Sequence, residues 1–276
     1  MLALALVFGA AVGLALGLTG GGGSIIAVPL LVYGLAVPMR EAVGVSLAAV
    51  GATALVGAIH RFWQREVEVQ TGLMFAVAGM LGAPVGSFIG RQIPEALLLL
   101  LFAGLMVAVA VLMWRKATMR PEEAAVVRAP GARRATDDAG VACRRDPAGR
   151  LKMTSRCATV MSVAGIVTGI LSGMFGVGGG FVVVPALVLL SSMSIHRAVA
   201  TSLMVIALVS ASGVASKLLA GETLAAGVTA LFVVGGIVGL GLGTVFARKL
   251  SPVKLQQVFA VAIVAVAVFV IVKNVA

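Results

Sequence analysis

Charge is what this sequence has least of. Asp, Glu, Lys and Arg make up 11% of its 276 residues and apolar types 61%, whereas a soluble domain is about 25% charged and about 45–50% apolar. A water-facing surface cannot be built from so little charge. Histidine and cysteine each occur twice and tyrosine once, so histidine- or thiol-based chemistry has little material. Cys143 and Cys157 match no metal-binding spacing; they are expected to be reduced and are given no role. There is no P-loop, no HExxH signature and no catalytic triad, which argues against an enzyme and for no cofactor and no metal. The net charge of +11 points toward nucleic acid only until its distribution is read. Residues 115–156 hold eleven of the 21 Lys and Arg, five acids and no aromatic to stack a base. A basic loop between apolar segments reads as a cytoplasmic topology signal, and nucleic acid is not expected as a partner.

What is abundant is long apolar runs: 1–18, 42–59, 71–89, 96–114, 158–175, 198–215, 224–247 and 258–272. They cluster near the roughly 20 residues that carry a helix across a bilayer, and none contains Asp, Glu, Lys or Arg. A proton relay through carboxylates inside the spans is thereby excluded. The N-terminal run resembles a secretory signal but lacks a positive n-region. It also has a counterpart later in the chain, so it is read as mature structure.

That counterpart belongs to a duplication. Gly17-Leu-Thr-Gly-Gly-Gly-Gly-Ser-Ile-Ile-Ala-Val-Pro29 aligns without gaps, 156 positions on, with Gly173-Met-Phe-Gly-Val-Gly-Gly-Gly-Phe-Val-Val-Val-Pro185. Twelve of the 31 positions from 17 to 47 are identical at this offset. At offset 157, Gly79, Gly82 and Gly86 meet Gly236, Gly239 and Gly243. The expected organisation is a membrane repeat at 1–116, a basic cytoplasmic linker at 117–156 and a second repeat at 157–276. The fold class is an all-α integral membrane protein. It has two homologous repeats, each opening with a Gly-broken or hairpin element, with about eight spans by hydropathy and up to ten helical segments. If the opening element is one broken crossing, the halves are parallel; if it is a hairpin, they are inverted. The basic residues outside the linker favour inversion. They put Arg61, Arg65, Arg197, Arg248, Lys249 and Lys254 inside against Arg40, Arg91, Lys217 and Lys273 outside.

The candidate site lies at the glycine clusters. Glycine lets a helix break and take positive φ, and unwound backbone in a membrane is tolerated where it is buried in protein or lines a cavity. Helices starting at Ser24 and Phe181 would aim free N–H groups and positive dipole ends at such a cavity, which suits an anion. Close helix packing is the other reading of the same glycines. Pro29 and Pro185 are read as structural. Ser46 and Ser202 match between halves; Thr53, Thr201, Ser210 and Ser212 share their helices. These hydroxyls either face the solute or bond their own i−4 carbonyl, and Thr19 is a similar case. Arg61 and Lys217 end matched helices and read as interfacial anchors, with attraction of anions to a pore mouth as the alternative. The stripes Gly82-x3-Gly86-x3-Gly90 and Gly235-x3-Gly239-x3-Gly243 read as packing faces.

The paired glycine motif, together with the two halves and basic middle loop, resembles the sulfite exporter TauE/SafE family of multi-pass permeases of the bacterial inner membrane. The resemblance covers nearly the whole chain. It implies a secondary transporter of a small sulfur-containing anion such as sulfite, a sulfonate, sulfoacetate or thiosulfate. It also implies substrate contacts around Gly20, Gly21, Gly22, Gly23 and Ser24, and around Gly176, Gly178, Gly179 and Gly180; from the residues themselves, Thr19, Phe181, Ser46 and Ser202 join them as candidate substrate-binding positions. A channel-like facilitator and a non-transport scaffold subunit are the alternatives. The expected partners are the anion and the bilayer, with self-association left open.

Overall fold

The computed structural model describes residues 2–119, 144–145, 151–152, 155–191, 193, 195–222, 225–247, 261, 263–270 and 272–273. Within these the membrane part is helical: α1 Leu2–Thr19, α2 Gly22–Gly34, α3 Met39–Trp63, α4 Val69–Gln92, α5 Glu95–Met119, α6 Ser155–Phe175, α7 Gly180–Ser191, α8 Ile195–Leu219 and α9 Ala226–Ala247. A further helical stretch covers 263–270. Six of these are long and apolar enough to cross a membrane, namely α1, α3, α4, α6, α8 and α9, so the chain is a multi-pass membrane protein. Of the other two apolar runs, α5 counts as a shorter apolar helix over Glu95–Val111, and 258–272 is described only in part. Arg248, Lys249 and Lys254 lie outside the described residues.

The outward faces carry Leu81, Val85, Phe88, Val163, Val238 and Val245, all strongly exposed. Such faces are stable only against hydrocarbon. Trp63 is 82% exposed at the end of α3, where an aromatic ring suits the headgroup level.

Two expectations about the linker change. The flanking helices reach into it, to Met119 and from Ser155. Inside it, Arg144–Arg145 pairs antiparallel with Leu151–Lys152. That short ladder folds the chain back between the two cysteine positions, and Cys157 is disulfide-bonded rather than a reduced thiol.

Glycine contacts fix the helix directions. Cβ atoms built on Gly9, Gly13 and Gly17 would strike Phe232, Gly236 and Leu240 in turn, so α1 and α9 run parallel. Those on Gly82, Gly86 and Gly90 would strike Ile166, Ile170 and Met174, so α4 and α6 run parallel. Along α3, residues Leu47, Gly51 and Gly57 meet Gly213, Ser210 and Leu203 of α8, so α3 and α8 run antiparallel. Because α3 and α4, like α8 and α9, are successive spans of opposite direction, α1 runs opposite to α6, α3 to α8 and α4 to α9. Gly23 packs on Ala15 and Leu16, and Gly34 on Phe8. α2 therefore doubles back along α1 as a hairpin. The contacts also cross between halves: α1 is held by α9 and α6 by α4, through the glycine stripes. Each stripe glycine brings backbone against backbone, as where a Cβ on Gly86 would lie 2.0 Å from the Ile170 carbonyl oxygen.

Candidate functional site

α1 and α6 end alike. Gly20 and Gly176 both have φ +73°. Their amides donate to Leu16 O at 2.7 Å and Ser172 O at 2.8 Å, the i→i−4 bond of a left-handed glycine cap. A side chain there would be strained, which is why glycine occupies both positions. Beyond the caps the chain reverses. α2 and α7 begin at Gly22 and Gly180, slightly earlier than the sequence suggests, because Gly22–Ile26 winds as a 3-10 turn and Gly180 is already helical. Pro29 closes the one α-helical turn of α2, and the helix continues as a π turn over Leu30–Gly34. The missing proline N–H accounts for that irregularity. Pro185 sits inside α7.

The two turns meet. A Cβ on Gly21 would lie 2.6 Å from the carbonyl carbon of Gly180, and one on Gly180 would lie 2.6 Å from Gly21 Cα. Gly178 faces Val50, Ile206 and Ser210, residues near the middle of the 25-residue helices α3 and α8. The candidate backbone is thus brought together at mid-depth. It is packed backbone to backbone, with no room for a solute between Gly21 and Gly180. Gly20 through Ser24 and Gly176 through Phe181 are all buried.

The matched serines do something not foreseen. Ser46 Oγ donates to Gly176 O at 2.6 Å, and Ser202 Oγ to Gly20 O at 2.6 Å. Each half's serine closes on the other half's glycine cap. Ser202 also reaches Val199 O, and Thr19 bonds its own i−4 carbonyl at Ala15. Ser24 Oγ donates to Gly21 O and helps hold the turn. Ser46→Ala and Ser202→Ala each strand a buried carbonyl, so each is expected to cost about 1–2 kcal/mol. The double variant tests coupling through a thermal-stability cycle.

Polar capacity is left over here. Among the described residues, the backbone hydrogen bonds outside the helices include none donated by the amides of Gly22, Gly23, Gly178 or Gly180. The buried hydroxyls of Ser172 and Ser210 also lack partners. Ser210 Oγ lies 3.3 Å from where a Gly178 Cβ would stand, and Ser172 flanks Gly179. Buried orphans of this kind are uncommon in native proteins. Ser172 escaped the sequence reading, although a lone serine just ahead of Gly173 in an apolar run was the available signal. Thr53 packs on Gly236, Thr201 accepts from the Glu68 amide, and Ser212 donates to Met80 O; none of the three joins the glycine turns through these contacts.

Lys217 is not an interfacial anchor. It is 3% exposed, and its Nζ donates to Glu222 Oε2 at 2.6 Å and lies 3.5 Å from Arg40 O. Arg61, its match in the first half, pairs with Glu66 in the same way.

Comparison with known proteins agrees with this architecture. A family model described as "Sulfite exporter TauE/SafE" matches residues 5–270. A "Probable membrane transporter protein" of Xylella fastidiosa strain Temecula1 is 39% identical over 269 residues, covering 95% of this chain and 92% of that protein. The "Probable membrane transporter protein YunE" of Bacillus subtilis is 28% identical over 212 residues, 74% of each. No solved structure matches. With the match running from the first helix to the last, the chain belongs to the sulfite exporter TauE/SafE family.

Proposed function

We propose that the protein is a secondary transporter, in the export direction, of a small sulfur-containing oxyanion or sulfonate, working by alternating access in a bacterial inner membrane. In this reading residues 1–116 and 157–276 are two copies of one unit with opposite orientation, and the linker 117–156 faces the cytoplasm. The observation that carries it is the pair of glycine caps at Gly20 and Gly176, each clamped by the opposite half's serine. The buried, unpartnered hydroxyls of Ser172 and Ser210 lie beside them, as do the first amides of α2 and α7. Amides at the start of a helix, in low dielectric, hold an anion without a buried lysine. The family membership and the relatives' names support transport; the substrate class and direction are our reading.

The contact of Gly21 with Gly180 then belongs to a closed state. Rocking one half against the other about the Ser46 and Ser202 clamps would part the turns and admit the solute from one face at a time.

The test is flux in proteoliposomes. Purified protein preloaded with sulfite, thiosulfate or sulfoacetate should accelerate counterflow of the labelled species at least tenfold over empty liposomes. Chloride should fail to compete. Absence of counterflow for every sulfur anion removes the substrate assignment, and flux without counterflow removes alternating access.

A further inference from the structure

The ends of α3, α4, α6 and α8 at the Lys217 face enclose a cavity lined by Arg40, Val43, Ser87, Arg91, Gly173 and Lys217. Its free volume is about 10 Å³, room for a single water. Three of these residues are cationic, and Ser87 Oγ is buried without a partner. Ser87 is 2% and Lys217 3% exposed, so the polar groups are committed to the interior. The Arg91 Nε also has no hydrogen bond. It stands 3.8 Å from Glu222 Oε1, while the other oxygen of that carboxylate takes the Lys217 ammonium. Arg40 leans on Glu95 at 3.9 Å and donates to Arg91 O at 3.1 Å. The cavity is one residue from the transport path, because Val43 lines it and also packs on Gly176.

We propose that this pocket is an oxyanion station on the substrate's route and that Glu222 occupies it as a tethered stand-in. A carboxylate and an oxyanion offer the same two features to Lys217 and Arg91: negative charge and oxygens able to accept from both at once. A free oxyanion takes the place of the Glu222 carboxylate when that side chain turns away. Ser87 Oγ and Arg91 Nε, which make no hydrogen bond, then gain an acceptor. Glu222 follows Gly221, which has φ +78° and no described residue within 4 Å of its Cβ position. The charge balance fits as well. The lining holds three cations, with Glu222 and the half-exposed Glu95 as the carboxylates against them, so exchanging Glu222 for a doubly charged oxyanion improves neutralisation. On the opposite face Glu66 holds Arg61 at the matching positions, but with side chains 37% and 16% exposed against 24% and 4% at Glu222 and Lys217. The Lys217 end is therefore the more tightly plugged.

The inference rests on the anion reading of the transport site but is tested apart from it. Calorimetric titration of the purified full-length protein with sulfate and with sulfite is the measurement. Glu222→Gln keeps shape and removes charge; it is expected to tighten both anions about tenfold. Arg91→Gln is expected to weaken them at least tenfold, as is Lys217→Gln. Gel filtration checks folding, and the partly exposed Arg91 position decides should Lys217→Gln fail to fold. Equal or weaker binding in Glu222→Gln overturns the proposal, as does wild-type affinity in Arg91→Gln. If wild-type protein moves no sulfur anion while Glu222→Gln still tightens sulfate, the station stands and the transport reading falls. If wild type transports and neither variant changes binding, the station alone falls.

Discussion

Gly21→Val is expected to abolish transport and to destabilise the protein by about 3 kcal/mol or more, whereas Gly22→Ala should leave the fold intact and reduce anion affinity alone. The difference follows from where each Cβ would go. At Gly21 it lands 2.6 Å from backbone atoms of Gly180, which cannot retreat without separating α2 from α7. Overpacking of that kind typically costs about 1–3 kcal/mol, and more where backbone must shift. At Gly22 the nearest atom is the Thr19 hydroxyl at 3.1 Å, a side chain that can give. The added methyl shields the amide at the start of α2, one of the helix's first N–H groups. Counterflow measured beside a thermal melt separates the outcomes. A Gly22→Ala protein with wild-type melting and wild-type flux would remove the backbone amides from the site. Gly104→Ala is the control, since no described residue lies within 4 Å of its Cβ position.

The second large effect is expected at the interlocking stripes. Gly86→Leu and Gly239→Leu should each prevent assembly, giving aggregated or rapidly degraded protein. A Cβ at either position would stand 2.0 Å from a facing carbonyl oxygen, that of Ile170 for Gly86 and Ala10 for Gly239. Helices in lipid are held by close packing rather than by exclusion of water, so pushing α4 off α6 removes what binds them. Gly241→Leu, one helical face away and in open space, should behave as wild type in gel filtration. Monodisperse Gly86→Leu protein with native melting would show that the stripe is not the interface.

The breaks at Gly20 and Gly176 were legible because four-glycine runs inside apolar segments have few other uses, and their doubling 156 positions apart pointed to a common geometry. The stripes were legible for the same reason: a four-residue period of glycine on a helix specifies one face. The reach of Ser46 and Ser202 across the halves could not be read at all. A hydroxyl on an apolar helix satisfies its own i−4 carbonyl by default, and only the crossing of α3 and α8 supplies a better acceptor. The cluster of Arg40, Arg91 and Lys217 was hidden by distance along the chain, and each looked like an ordinary end-of-helix cation. One trace was present: a carboxylate five residues after Arg61 and again five after Lys217, as Glu66 and Glu222. Two such spacings at the repeat offset point to a pair rather than to two anchors.

The crossed partnership of α1 with α9 has a consequence for how the protein is made. Until α9 is made, the stripe Gly9, Gly13 and Gly17 of α1 lacks the backbone it packs on. The helix must wait in the lipid beside the translocon, its glycines facing acyl chains. Synthesis truncated before residue 226 should therefore yield an orphan for quality-control proteases, and two separately expressed halves should rescue one another by recombining in the bilayer.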